Sequence, residues 1–206
     1  MSVPPPCDVT ILLLAAGSSS RMRGADKLTQ LVDGTPLLRR QARAAVATGA
    51  PVIVALPPRH HARLACLHDL PLAVIEVPGA AEGMGESLRL GALAAGRPDG
   101  LMVMLADMPD IETADLTLLI EGFTKGHASS IVRAGAKDGT PGHPVILPAD
   151  CLPDLADLRG DTGARAILAA NRGRCVTLPL AGRRALVDLD TPEAWAAWRS
   201  ARDSHT

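Results

Sequence analysis

The stretch that most constrains this chain is 9–28, VTILLLAAGSSSRMRGADKL, where an apolar run passes directly into a Gly/Ser-rich bend bearing the cations Arg21 and Lys27. Val9 to Leu14 is aliphatic and β-branched without polar alternation, which predicts a strand buried on both faces of a parallel sheet. From Gly17 to Ser20 the side chains nearly vanish. Small residues let backbone N–H groups turn outward and approach an anion closely, as in loops that cradle phosphate after a first strand. Arg21 can fork onto phosphate oxygens there, and Lys27 can supply a movable point charge. The spacing excludes three familiar loops. No Gly-Lys-Ser/Thr of the Walker type is present, one glycine precedes three serines in place of a three-glycine dinucleotide fingerprint, and Gly17 to Arg21 lacks the second glycine of a nucleophile elbow. Taken alone, the loop fits both an anion cradle and an ordinary strand-to-helix turn with surface charges.

At 206 residues the chain suits one well-buried domain, so a single domain over 1–206 is expected. Its 21 Lys and Arg nearly cancel 22 Asp and Glu, which leaves no global field to recruit nucleic acid or an acidic membrane. Any phosphate site must therefore be built locally. Phe123, Trp195 and Trp198 are the only aromatics, so base-stacking platforms for single strands are excluded. Cys7, Cys66, Cys151 and Cys175 are far apart and form no C-x-x-C, against a disulfide framework or a zinc cluster. The longest apolar run, Val9 to Ala16, is far short of the roughly 20 residues of a membrane span. With no basic-then-apolar leader, a soluble protein of the reducing cytoplasm is expected.

Glycine and proline punctuate the chain at steady intervals and predict alternating strands and helices. Strands are expected at 51–56, 72–77 and 101–105, with helices over about 36–48, 59–68, 86–95 and 113–122. A turn is expected at Asp33-Gly34. His60, His61 and His68 share no i, i+4 spacing, so a solvated face is the better reading than a metal site. The second half is less regular, as when insertions shape a substrate pocket. Strands at 129–133 and 144–147, a short helix from Asp161-Thr162 to about Asn171, and strands at 175–178 and 185–189 are expected there. Thr191 caps a last helix with Pro192 at its first position and Glu193 in the first turn, and Trp195 and Trp198 pack on the core.

Asp107 follows the 101–105 strand, where ligands of open α/β sheets collect, and reads either as a metal ligand or as a helix cap. Asp110 reads as a turn or cap residue. Asp188 and Asp190 share a face by strand alternation, so either can offer a second carboxylate, and Asp190 can equally cap the final helix.

Leu14-Ala15-Ala16-Gly17-x-Ser19-x-Arg21-Met22, with Lys27 five residues on, resembles the signature loop of the MobA-like nucleotidyltransferases, and above all their molybdenum cofactor cytidylyltransferase group. Family members often carry glycine directly after the methionine; here Arg23 intervenes before Gly24. Leu105 to Asp110 resembles the family's metal motif, which implies Asp107 as ligand, and Val187 to Glu193 its late motif, which implies Asp188. Glu82 to Leu88 resembles the nucleotide-contacting segment, with Glu86 where serine is common, and implies Gly83, Gly85 and Ser87 as nucleotide contacts beside Leu14, Ala15, Ala16, Gly17, Ser19, Arg21 and Lys27. Gly142-His143-Pro144-Val145 and Gly160 to Arg165 resemble acceptor-facing segments, implying His143, Asp161, Gly163 and Arg165. A helix start beside Arg165 would also suit a phosphate-bearing acceptor.

The resemblance implies a Rossmann-like nucleotidyltransferase fold, three-layer α/β/α with a mostly parallel mixed sheet, about 1–125 binding nucleotide and about 126–206 binding acceptor. It further implies transfer of CMP from CTP to molybdopterin with release of pyrophosphate, catalysed through Arg21, Lys27 and Asp107 with Mg²⁺, or Mn²⁺ in its place, for a molybdenum hydroxylase client. Another triphosphate, a sugar-phosphate or alcohol acceptor, and a non-catalytic cofactor carrier are the alternatives.

Overall fold

A computed structural model of the chain describes residues 8–126, 129–158 and 164–203. In chain order its strands are β1 (Val9–Leu14), β2 (Leu31–Val32), β3 (Thr35–Pro36), β4 (Val52–Leu56), β5 (Ala73–Glu76), β6 (Gly100–Leu105), β7 (Ile131–Gly135), β8 (Pro141–Pro148) and β9 (Cys175–Pro179). The helices are α1 (Leu37–Val46), α2 (His61–Cys66), α3 (Met84–Ala95), α4 (Thr113–Lys125), α5 (Leu152–Ala156), α6 (Arg165–Ala170) and α7 (Pro192–Asp203). None of the described helices is long and apolar enough to cross a membrane.

Seven strands form one sheet in the order β5-β4-β1-β6-β8-β7-β9. β1 is parallel to β4 and β6, β8 runs antiparallel to both β6 and β7, and β9 is again parallel to β7. The sheet is thus mixed and mostly parallel, as expected. Its inner strands are apolar on both sides because both sides are covered. Ile11, Leu13, Val54, Met102 and Met104 pack with Leu37, Leu119, Phe123 and Trp195 of α1, α4 and α7. The alternate residues Leu12, Ile53, Leu101 and Val103 pack with Leu88, Leu155 and Ile167 of α3, α5 and α6.

This topology places a crevice before any side chain is considered. Strands β1, β4 and β5 step outward on one flank, and the chain then crosses to β6 on the other flank of β1. Ligands of open α/β sheets bind outside the carboxyl ends of the strands at such a switch point. Leu14 and Leu105, the last residues of β1 and β6, are register partners at its floor. Gly91 lets α3 sit flush on β1, since a Cβ there would meet the Leu12 side chain at 2.2 Å.

Two segments differ from the sequence expectation. Residues 185–189 do not form a strand: Arg184–Leu186 is a 3-10 turn, and the N–H groups of Arg184 and Leu186 bond to the carbonyls of Ala181 and Arg183, so no ladder can use them. The segment instead rests on β8, where a Cβ on Gly142 would lie 2.0 Å from the Ala185 carbonyl oxygen. Helix α5, which the sequence reading passed over, is only five residues long. Elsewhere boundaries move by a few residues, and Asp33 and Gly34 turn the β2–β3 hairpin with φ of 51° and 73°.

Gly142→Ala is expected to push the 184–190 segment off β8 and cost about 1–3 kcal/mol, an overpacking penalty. Chemical denaturation should show the loss, whereas Gly139→Ala, at an open position with nothing near its Cβ, strains only its own turn.

Candidate active site

The bend after β1 curls by left-handed backbone at Ser19 and Arg23, with φ of 53° and 52°, around a 3-10 turn in which Met22 is buried. Asp26 then caps the next turn, accepting from the Leu28 N–H at 3.0 Å and the Ser19 hydroxyl at 3.1 Å. Beneath the bend lies Arg63 of α2, 1% exposed. Its Nη1 donates to the Ala15 and Gly17 carbonyls at 2.6 and 2.8 Å, its Nη2 to Ser19 Oγ and Asp26 Oδ1 at 3.1 and 2.7 Å, and its Nε to Asp26 Oδ2 at 2.8 Å. All five guanidinium N–H donors are used. The sequence reading missed this residue; the only local signal was an arginine among apolar residues in a short helix. Burial alone would raise the Asp26 carboxyl, but the Arg63 guanidinium with the Leu28 and Ser19 donors holds it below its usual value.

Asp107 and Asp190 face this bend, and Asp188 stands beside them, exposed and outside the cavity lining. Asp107 lies two residues past β6, and the Leu189 N–H donates to the Asp107 carbonyl at 3.0 Å, pinning the 188–190 segment beside it. Ligand oxygens of Asp107, Asp188 and Asp190 lie within 4.8 Å of one another. Lys27 Nζ bridges two of them, 2.5 Å from Asp107 Oδ2 and 2.5 Å from Asp190 Oδ1, while Arg21 Nη2 reaches Asp190 Oδ2 at 2.5 Å. Burial pulls the Lys27 ammonium down, yet Asp107 and Asp190 outweigh it and raise its pKa. Asp190 is held low against its burial by Lys27 and Arg21, whereas Asp188 is pushed up by burial and by its two acidic neighbours. A hard divalent cation fits this donor set. It is all oxygen, and Asp107 Oδ1 is shut from solvent with no hydrogen-bond partner.

Asp190 faces Lys27 and Arg21, and the helix cap is Thr191, whose hydroxyl accepts from the Ala194 N–H at 3.1 Å. Asp110 is more than a turn residue: its two carboxylate oxygens take the Trp198 indole N–H at 3.0 and 3.1 Å, anchoring α7.

A cavity of about 600 Å³ opens between the bend, the start of α3 and the acids. Every expected nucleotide contact lines it, from Leu14, Ala15, Ala16, Gly17 and Ser19 through Arg21 and Lys27 to Gly83 and Ser87, except Gly85, which is buried within α3. Asp107 and Asp190 also line it. Gly83 enters α3 with φ of 126°, a conformation open to glycine. Glu86 is tied to Arg89 by two bonds of 2.8 and 2.7 Å and is not part of the lining. His143 stands on β8 outside the lining; burial and Arg133 lower its pKa, and Asp107 opposes them. Arg165 is exposed at the first position of α6, and Asp161 and Gly163 lie outside the described residues.

Comparison with known proteins shows the family and the fold. The profile of the MobA-like NTP transferase domain matches residues 11–175. The purine catabolism protein PucB of Bacillus subtilis is 28% identical over 201 residues, covering 92% of this chain and 95% of that one. Among solved structures, Rv0371c of Mycobacterium tuberculosis superposes with a TM-score of 0.80 at 27% identity, covering 95% of this chain and 99% of that chain. Its manganese complex superposes at 0.71 with 25% identity over 92% and 97% of the two chains. A nucleotidyl transferase from Methanothermobacter shares the fold at 0.79 with 20% identity, over 97% and 99%.

The Arg63–Asp26 pair generates a pH prediction. A carboxyl whose folded pKa is depressed contributes stability that is present above its ordinary value of 3.8 and is lost as pH falls through the lower folded value. Asp26→Asn should therefore flatten the acid limb of the unfolding profile below that value. At neutral pH it should cost about 3–5 kcal/mol, because the guanidinium is left buried and unpaired.

Proposed function

The chain belongs to the MobA-like NTP transferase family and is a nucleotidyltransferase, and from that premise we propose that it transfers CMP from CTP to molybdopterin. The products are molybdopterin cytosine dinucleotide and pyrophosphate. One observation carries the reading: Lys27 bridges Asp107 and Asp190 in the lining of a cavity that the Gly/Ser bend and the start of α3 also line. Cations and acids converging on a nucleotide-sized cleft are what in-line displacement at a polyphosphate requires.

In this mechanism a phosphate oxygen of the acceptor attacks the α-phosphorus of CTP. The new O–P bond forms as the bond from the α-phosphorus to the bridging oxygen breaks, and pyrophosphate leaves toward Arg21 and Lys27. The attacking phosphate is already ionised, so no general base is needed. Backbone of 15–19 and the start of α3, with Ser87, hold the nucleotide. Mg²⁺ or Mn²⁺ held by Asp107 with Asp188 and Asp190 would supply charge neutralisation at the α-phosphate; the manganese complex of Rv0371c supports that assignment. Residues 126–206 are assigned to the acceptor half of a single nucleotidyltransferase domain, with His143 and Arg165 as acceptor contacts.

CTP is assigned from the Leu-Ala-Ala-Gly form of the first loop and the Asp188 to Pro192 motif, which resemble the cytidylyl-transferring members. The likeness to PucB supports a molybdenum hydroxylase as client, since hydroxylation is a way to oxidise a purine ring.

Pyrophosphate release, measured with each of the four triphosphates with and without molybdopterin, should require CTP and molybdopterin together. Release with a different triphosphate corrects the base, and cofactor binding without release under any condition overturns the enzyme. Lys27→Ala and Asp107→Ala should each lower turnover about a hundredfold or more with the fold retained by circular dichroism. Chelation should abolish release in the wild type, and Mg²⁺ or Mn²⁺ should restore it.

A further inference from the structure

Beyond the cavity, β7 carries an arginine whose charge no carboxylate among the described residues answers. Nine arginines, at 21, 23, 39, 40, 63, 89, 174, 184 and 202, pair with carboxylates. Among the described residues, the other arginines without a carboxylate partner are exposed to water, except Arg133, which is half-buried on β7. Among the described residues it is alone in that respect. Its Nε is shut from solvent with no hydrogen-bond partner.

The neighbouring strand has an irregularity at the same level. Arg133 is in register with Val145 of β8, and the next pair is Gly135 with Pro141. Residues 142–144 of β8 therefore oppose only Ala134, a bulge of the kind that re-aims side chains at functional sites. His143 is in that bulge, and its Nδ1 is likewise buried without a partner. β8 runs antiparallel to β6 with Val145 opposite Val103, so the bulge lies level with the last residues of β6, two residues before Asp107. The charges of Arg133 and Asp107 both reach the His143 imidazole, in opposite senses.

A half-buried guanidinium with no counter-charge and a buried imidazole nitrogen with no partner each carry a desolvation cost that an anion would relieve. We infer that Arg133 and His143 form the subsite for the acceptor's phosphate monoester, holding it on the Asp107 side of the nucleotide cavity. The subsite rests on the proposed phosphate acceptor. Arg133 supplies a planar fork and the fixed charge, and His143 supplies a single nitrogen to one phosphate oxygen. The two strands thereby aim the attacking oxygen, which complements Arg21 and Lys27 on the departing pyrophosphate.

The test uses Arg133→Met, with Arg133→Lys as the variant that keeps charge but loses the fork. With CTP saturating, the KM for molybdopterin should rise about tenfold or more in Arg133→Met and less in Arg133→Lys, while the dissociation constant for CTP stays within twofold of wild type. An unchanged KM, or an equal loss of CTP affinity, overturns the subsite. An independent measurement separates this subsite from the choice of reaction. Inorganic phosphate titrated into the protein should shift the His143 imidazole resonances in the wild type and leave them in place in Arg133→Met. Absence of a shift in the wild type, or the same shift in Arg133→Met, overturns the subsite even if pyrophosphate release follows the proposed reaction. A shift lost in the variant, with no pyrophosphate released, retains the subsite and discards the reaction.

Discussion

Five N–H donors on one buried guanidinium decide where the first loop can go. At the end of β1 the buried Ala15 carbonyl and the partly buried Gly17 carbonyl leave the ladder, and an acceptor left unpaired in the interior is costly. Arg63 meets both and, with its remaining donors, grips Ser19 and Asp26 on the far side of the bend. The bend is thereby closed from beneath, and its outer surface is left to the cavity. Lys27 follows Asp26 directly, so the same clamp roots the ammonium that reaches Asp107 and Asp190. Burying such a pair is expensive in desolvation, which favours reading it as a device for geometric definition over one for net stability.

Charge at the site is balanced by pairs that can be exchanged. Lys27 is mostly buried, yet its carboxylate neighbours raise its pKa, so it stays cationic. Asp190 is kept anionic by Lys27 and Arg21. Asp188, pushed up by burial and by the two other acids, shows the opposite side of that balance: among the described residues this third carboxylate has no cation of its own. Placing these groups at the switch point of the sheet requires no long loop, because β1 and β6 end side by side.

The first half of the chain was legible because strands covered on both faces are written as unbroken apolar runs, and 9–14, 52–56 and 100–105 all are. The loop cations and Asp107 were legible from motif and position together. Residues 185–189 misled because Ala-Leu-Val-Asp-Leu has the composition of a strand while the Leu186 N–H is spent in a tight turn and the Leu189 N–H on the Asp107 carbonyl. Arg63 and Arg133 were illegible for a different reason. Their meaning lies in what surrounds them, loop carbonyls 46 and 48 residues away for one and the lack of any carboxylate for the other, and a linear pattern carries neither fact.

The bond from the Leu189 N–H to the Asp107 carbonyl joins two acid-bearing segments directly through backbone, independent of which side chains flank them. A peptide suture of this sort ties the spacing of the acids to backbone, leaving it dependent on the interval between 108 and 188 only where that interval bears on the 184–190 segment, as β8 does at Gly142. Turns and short helices away from that contact can be lengthened, shortened or rewritten to suit a new acceptor while the three carboxylates keep their relative places. Diversification of one half of such a scaffold then proceeds without disturbing the chemistry held by the other.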